Sequence, residues 1–532
     1  HLHTEELLIC LLARELCRPV RWIEDRQENF LAATQAKQQK NDMRMAFDAQ
    51  GHFLALENRS VTDGGAYNNL PWLHLVESHV GNAVLTGVYK VPCVREEGIS
   101  VATNKVPIGA YRGVGFTAPQ MARETLLDRA ARKLGISPFE IRRRNVVREV
   151  DMPYATRTGI VIKEGSFLET VDMLEEMVGY EAFRQRQQEA RLRGKYLGLG
   201  LSVFNEVTGV GTRTMSDLGT PGTTHDSATV RVDPTGKITV TTAFVSAGQG
   251  QATTLAQVAA DAFGVPVEDV IIQAGSTKNA YGFGTFASRG AVIGSGSIGL
   301  AASIVRERIK QLAAHLFEAS PDDIVLNEGR VHVAGVPAKG MAFAEVVGAA
   351  YFAEATHPPG FDATLEATAN FDPADNVLAN GGHVAIVEID ADTFQTKVTH
   401  FYAVEDCGKM INPMIVEGQI RGGIGQAIGQ ALLEEIVHDE NGQLVTTTFL
   451  DYLLPTAHDV PNIEIRHLET PSPLVPGGIK GMGESAMISA PAAVVAAVND
   501  AIAHLGAVIE TFPVTPSRLF RAVSEAAASS GH

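Results

Sequence analysis

A single carboxylate ends the run Pro476-Gly477-Gly478-Ile479-Lys480-Gly481-Met482-Gly483-Glu484, with four glycines crowded before it. Glycine adopts backbone conformations closed to other residues and brings the main chain close to a ligand with no Cβ between them. On such a loop, beside a mostly apolar segment, Glu484 is a candidate general base, because burial moves a carboxyl's pKa toward the working pH. The structural alternative is an acid placed at the positive end of the following helix. That helix is expected over Ala490–Val498, with Pro491 at its first position, where no N–H is needed.

Three further glycine-rich stretches have the chemistry to hold an anion. Ser246–Thr254 (with Gly248, Gln249, Gly250, Thr253 and Thr254) runs into a helix that ends at Gly264. Free N–H groups at a helix start, with threonine hydroxyls, form an anion site; an ordinary strand-to-helix turn would look the same. Gly284, Thr285, Phe286, Ala287, Ser288 and Arg289 also precede a helix. They read either as a phosphate cradle or as a surface turn with a solvated arginine. Gly422-Gly423-Ile424-Gly425-Gln426 suits a helix lying close to a cofactor or to another helix.

Other chemistries find no support. Gly294-Ser295-Gly296-Ser297-Ile298-Gly299 fits GxGxxG by letter, but it runs into the long segment Leu300–Phe317 with no acid-ended strand after it, so it reads as a helix-packing face. The sequence has no GxxxxGK[ST], no HExxH and no GxSxG. Its four cysteines, Cys10, Cys17, Cys93 and Cys407, have no metal-type spacing. The residues therefore point to an extended, phosphate-bearing cofactor and one acid–base group, without naming the cofactor.

These loops need a scaffold, and 532 residues, 45% hydrophobic and 20% charged, are enough to build one. A net charge of −17 argues against non-specific nucleic-acid binding and against anionic membranes. A helical face is expected over Glu5–Cys17, and a strand over Val20–Ile23. Hairpins are expected at Met43–Asp48 with Phe53–Glu57, Thr229–Val232 with Ile238–Thr242, Val384–Ile389 with Lys397–Phe401, and Ile436–His438 with Leu444–Thr448. A helix with a capping-box start follows Thr117, and a shorter one follows Ser137-Pro138. The fold class is therefore α+β, in repeated sheet-and-helix modules with no strict βαβ alternation.

Taken in order, these loops resemble the molybdenum-cofactor-binding large subunit of the xanthine dehydrogenase, aldehyde oxidase and carbon monoxide dehydrogenase family. The resemblance rests on Arg18-Pro19-Val20-Arg21-Trp22, Ala110-Tyr111-Arg112-Gly113-Val114-Gly115, Ser246–Thr254, Gly284–Arg289, Asp406–Gln419, Gly422–Gln426 and Lys480–Glu484. It implies two cofactor-binding domains, the remainder of the first over 1–150 and the second over 151–532. It also implies molybdenum on a molybdopterin, in the cytosine dinucleotide form, with no metal ligand from the protein. Glu484 is then the catalytic base. Arg112, Gly248, Gln249, Gly250, Thr253, Thr254, Gly284, Thr285, Phe286, Ala287, Ser288, Arg289, Asn412, Gln426, Gly481 and Gly483 are the expected cofactor contacts.

Gly113, Val114 and Phe116 would line the substrate pocket. Copper-bearing carbon monoxide dehydrogenases carry a cysteine where this chain has Gly113, and purine-oxidising relatives carry a phenylalanine where it has Val114. An aldehyde or an N-heteroaromatic ring is the expected substrate; the alternatives are a carbon monoxide dehydrogenase-like large subunit without the copper-binding cysteine, or a non-catalytic scaffold subunit. The resemblance further implies an iron–sulfur subunit and an FAD subunit as partners, in a dimer of heterotrimers. Relatives carry more chain ahead of the position of His1, so the sequence is expected to be a fragment, or else a second chain supplies that part. A cytoplasmic location is expected, with the periplasm left open.

Overall fold

The Ser485–Ile502 helix is buried along its whole length, and the sheets are arranged around it. The structure, a computed structural model, describes residues 3–67, 74–218 and 222–530. The helix lies across the Lys195–Val207 strand, where a Cβ on Gly198 or Gly200 would collide with the carbonyls of Ala497 and Ala493. Glycine at those two positions lets helix and strand touch backbone to backbone. By length and composition this helix could cross a membrane, but 94% of its apolar window is buried inside the protein, so that apolarity serves the core.

Pro491 sits in the interior of this helix, not at its start. A proline there deprives the carbonyl four residues earlier of its usual donor. Met487 O instead accepts from Thr117 Oγ1 at 3.1 Å. A tertiary hydrogen bond therefore offsets the local penalty. The helix that starts at Thr117 likewise lacks the expected capping box, because its N-cap position, Phe116, is already helical and makes no side-chain cap. The Pro138–Asn145 helix is capped as expected, by Ser137 Oγ accepting from Glu140 N.

The sheet beside the central helix has the order Ile463–Leu468, Thr396–Asp406, Leu378–Asp390, Lys195–Val207, with only the first pair parallel. A second four-stranded sheet joins Glu366–Phe371, Asp226–Val232, Ile238–Thr242 and Val270–Gln273. The Arg289–Leu316 helix packs against it, and a Cβ at Gly296 would strike the Phe371 ring. The GxGxxG match is thus the expected packing face. A three-stranded sheet near the start pairs Gln39–Phe47, Phe53–Gly65 and Val94–Ala102. One apolar cluster holds Phe139, Val146, Ile160, Phe167 and Leu199, so the chain on both sides of residue 150 shares a core.

Two expected elements do not form. The fourth hairpin is only an isolated bridge between His438 and Leu444. Asp439 Oδ1 closes its turn, but Val437 and Val445 are exposed, so no face is buried to extend the pairing. Val20–Ile23 is irregular, with Trp22 and Ile23 exposed. The preceding Thr4–Leu16 helix buries no residue.

Candidate active site

Four helices begin at the wall of one cavity of about 580 Å³. They are Gln251–Phe263, Arg289–Leu316, Pro413–Leu432 and Ser485–Ile502, and they contribute Gln251 and Thr254, Ser288 and Gly290, Asn412 and Ile415, and Glu484. The first N–H groups of a helix have no partner within it, and the aligned peptide dipoles add positive potential there. The N-cap residues Gly250, Ser288 and Glu484 make no side-chain cap. Three helix starts are thus left without a side-chain acceptor, which suits an anion in the cavity. Asn412 differs: its Oδ1 accepts from Ile415 N and its Nδ2 donates to Gln257. Arg112, Lys409 and Lys480 add cations to the wall. A phosphate-bearing pterin fits this donor set.

Arg112 ties the base loop to the helices. Its Nε donates to Gly483 O at 2.5 Å, Nη1 to Gln426 Oε1 at 2.9 Å and Nη2 to Gln419 O at 3.0 Å. The planar fork of an arginine suits three divergent acceptors of this kind. It packs near Gly423, in the glycine run of the Pro413–Leu432 helix. That run therefore serves Arg112 and the close approach of Ala486, while Gln426 also reaches the cavity.

Glu484 lines the cavity, and its Oε2 accepts from Gly113 N at 2.8 Å. Burial raises its pKa above the ordinary carboxylate range. The Gly113 N–H, the Lys37 and Arg112 cations and a hydrogen bond from Ala287 N pull it partly back. This is the balance a general base needs: ionised at rest, yet able to hold a proton. Its own N–H donates to Ser288 Oγ at 3.0 Å. Ala287 and Ser288 both have left-handed backbones, at φ 46° and 54°, which is a strained conformation for residues with a Cβ. A Cβ at Gly481 would collide with Ser288 O, so the two loops are pressed together.

Among the expected cofactor contacts, Arg112, Gln249, Thr254, Thr285, Phe286, Ala287, Ser288, Asn412, Gln426 and Gly483 line the cavity, as does the expected base, Glu484. Gly248, Gly250, Thr253, Gly284 and Gly481 do not line it, and Thr253 is exposed. Gly250 instead packs against Ile415, and Gly284 N donates to Asp226 Oδ1.

Arg289 requires a correction. Its guanidinium is fully buried, paired with Asp226 at 2.5 Å, and it donates to the carbonyls of Val210, Gly284 and Thr224. With most of its N–H groups engaged inside the protein, it braces the loop and does not line the cavity. Phe116 is half-buried, packs against the core cluster that contains Leu127 and Leu201, and does not line the cavity. Gly113 is buried at the base, and Val114 is half-buried.

Sequence reasoning missed three groups. Lys37, from a loop with no motif, donates to Arg112 O and to Thr117 Oγ1. Gln419 receives Arg112 from the middle of a helix. Glu206 is buried next to Ser288, with one oxygen unpartnered, and burial together with the Glu484 charge pushes its pKa well up. Its place on a strand of otherwise buried residues was the one available signal.

Comparisons with known proteins agree with this geometry. Residues 173–461 match a family model described as a molybdopterin cofactor-binding domain, and residues 1–146 match another of the same description. The nicotine 6-hydroxylase large subunit of Paenarthrobacter nicotinovorans is 48% identical over 524 residues, covering 98% of this chain and 64% of that protein. The carbon monoxide dehydrogenase large chain of Hydrogenophaga pseudoflava is 34% identical over 516 residues, covering 96% and 64%. Among solved structures, quinoline 2-oxidoreductase from Pseudomonas putida 86 superposes with a TM-score of 0.97 at 76% identity, covering 99% of this chain and 67% of that one. The chain thus spans about two thirds of the length of such relatives. It belongs to the molybdopterin cofactor-binding proteins. Within them it falls among the large subunits of the xanthine oxidase family.

Proposed function

We propose that this chain carries the molybdopterin of a hydroxylase acting on an N-heteroaromatic ring, with Glu484 as its general base. The observation that carries this reading is the placement of Glu484: a carboxyl with a raised pKa, held by a backbone N–H, on the wall of a cavity built from four helix starts. When bound, a molybdenum pterin supplies a two-electron acceptor for oxidising a ring carbon with oxygen from water. Glu484 takes up the proton released in that step, and Gly113 N–H fixes the direction its carboxylate faces. Arg112 and Ser288 keep the loop from moving as the charge changes. Nicotine and quinoline, named for the similar proteins above, both contain an N-heteroaromatic ring.

An aldehyde substrate is the second choice, since neither of those names points to one. Carbon monoxide chemistry of the copper type is disfavoured. Gly113 offers no thiolate, and burial together with Glu405 and Asp406 pushes the thiol of Cys407, on the cavity wall, up to about 12. We further propose the cytosine dinucleotide form of the cofactor. Four helix starts and Arg112 line the cavity, and more than one anion-friendly helix start suits two phosphates. Iron–sulfur and FAD subunits are the proposed partners, in a dimer of heterotrimers. The similar proteins are themselves named as large subunits.

In the intact complex, Glu484→Gln should lower turnover about 10²–10⁴-fold while molybdenum per chain, measured by mass spectrometry, stays as in the wild type. Turnover that survives the change would remove Glu484 from the chemistry.

A further inference from the structure

The loop that holds Glu484 is itself held from beneath by a lysine that belongs to no motif. Lys37 lies just before the Gln39–Phe47 strand, in a left-handed backbone at φ 66°. Its ammonium donates to Arg112 O at 2.6 Å and to Thr117 Oγ1 at 2.7 Å, with Gly113 O at 3.5 Å. The N–H of that same peptide group, Gly113 N–H, holds the Glu484 carboxylate. The Arg112–Gly113 turn is thus fixed on one side by Lys37 and grips the base on the other. A side chain at Gly113 would meet Thr117 Oγ1 and the Lys37 ammonium, so the contact is tightly packed. Charged groups facing Lys37 are Glu77, Glu484 and Arg112, and its ammonium stands 5.5 Å from the Tyr111 ring.

We propose that Lys37 is a positioning residue. It fixes the Arg112–Gly113 turn so that Gly113 N–H stays on Glu484, and it supplies the nearby positive charge that keeps this base ionised. The proposal rests on the reading of Glu484 as the base. Burial lowers the Lys37 pKa to about 8, against the raising influence of Glu77 and Glu484. The charge is therefore present at neutral pH and lost above that value. A cation beside a carboxyl favours its ionised form. Removing it raises the Glu484 pKa, and the acid limb of activity moves to higher pH.

The test uses the intact, cofactor-loaded complex with quinoline as substrate and an artificial dye as acceptor. Lys37→Met should move the acid limb of kcat/KM upward by about one pH unit and lower kcat at neutral pH about tenfold, with molybdenum content and KM within about twofold of wild type. Lys37→Arg, which keeps the charge, should return the limb to its wild-type position. Lys37→Gln keeps a hydrogen-bond donor on the side chain but carries no charge. It should shift the limb as Met does, and it replaces Met if the latter does not assemble.

A readout free of turnover is the infrared carboxyl band of protonated Glu484, identified by its loss in Glu484→Gln, titrated in the cofactor-free complex. Its midpoint should rise in Lys37→Met. An unmoved limb and midpoint in the uncharged variants would overturn the role of Lys37 while leaving Glu484 as base. Full activity in Glu484→Gln would instead overturn the reading on which both depend.

Discussion

Two arginines, each on a glycine-rich loop and each expected to face the cofactor, are put to different uses. Arg289 is sealed against Asp226 and three carbonyls, whereas Arg112 spans Gly483, Gln426 and Gln419 at the edge of the cavity. The first holds a loop in a strained shape; the second joins the base loop to a helix. Residue type and loop composition were the same for both, and the difference lies in whether an acid touches the guanidinium directly. Asp226, on its strand, pairs with Arg289; the buried acids near Arg112, Glu484 and Glu206, act on it only through space.

Substitutions can break this contrast. Arg289→Met leaves Asp226 charged and buried without its partner, and the loss of stability should be about 3–5 kcal/mol, read as a fall in chemical-denaturation midpoint. Adding Asp226→Asn to that variant should restore part of it. Gly481→Ala drives a Cβ into Ser288 O and should destabilise by about 1–3 kcal/mol, with turnover falling because the base loop must shift. Arg112→Lys keeps the charge but loses the fork. Its stability should change by about 1 kcal/mol, while kcat falls more than for any change at Arg289 that still folds. The smallest effect is expected from Cys407→Ala. Its thiol, pushed up to about 12, stays protonated at neutral pH, so turnover should stay within about twofold of wild type and stability should drop by about 1 kcal/mol.

Much of the site was legible because its chemistry is local in the sequence. Glu484 and its glycines, the helix start at Gln251, the glycine run Gly422–Gln426 and the turn through Ala287 and Ser288 are each contiguous stretches, and contiguous glycines announce themselves. Lys37 and Glu206 were not legible. Each reaches the base loop through the fold alone, from a loop and a strand with no pattern of their own. The same locality misled the reading of Arg289. A positive charge on a loop reads as ligand-facing until the packing shows an acid behind it. Three hairpins formed as expected, because alternation and turn residues agreed with a face to bury. The hairpin at Asn441-Gly442 had the turn without the face, and only one bridge resulted.

The proline inside the buried helix has a consequence for a hydroxyl some 370 residues away in sequence. Thr117 Oγ1 accepts a hydrogen bond from Lys37 and stands 3.1 Å from both Met487 O and Gly113 O, yet it has one proton to donate. Serine could meet both demands at this position. Valine, though the same shape, would strand an ammonium donor and a main-chain acceptor together. Drift at residue 117 is therefore constrained by a proline one turn beyond the carbonyl it bonds, Pro491.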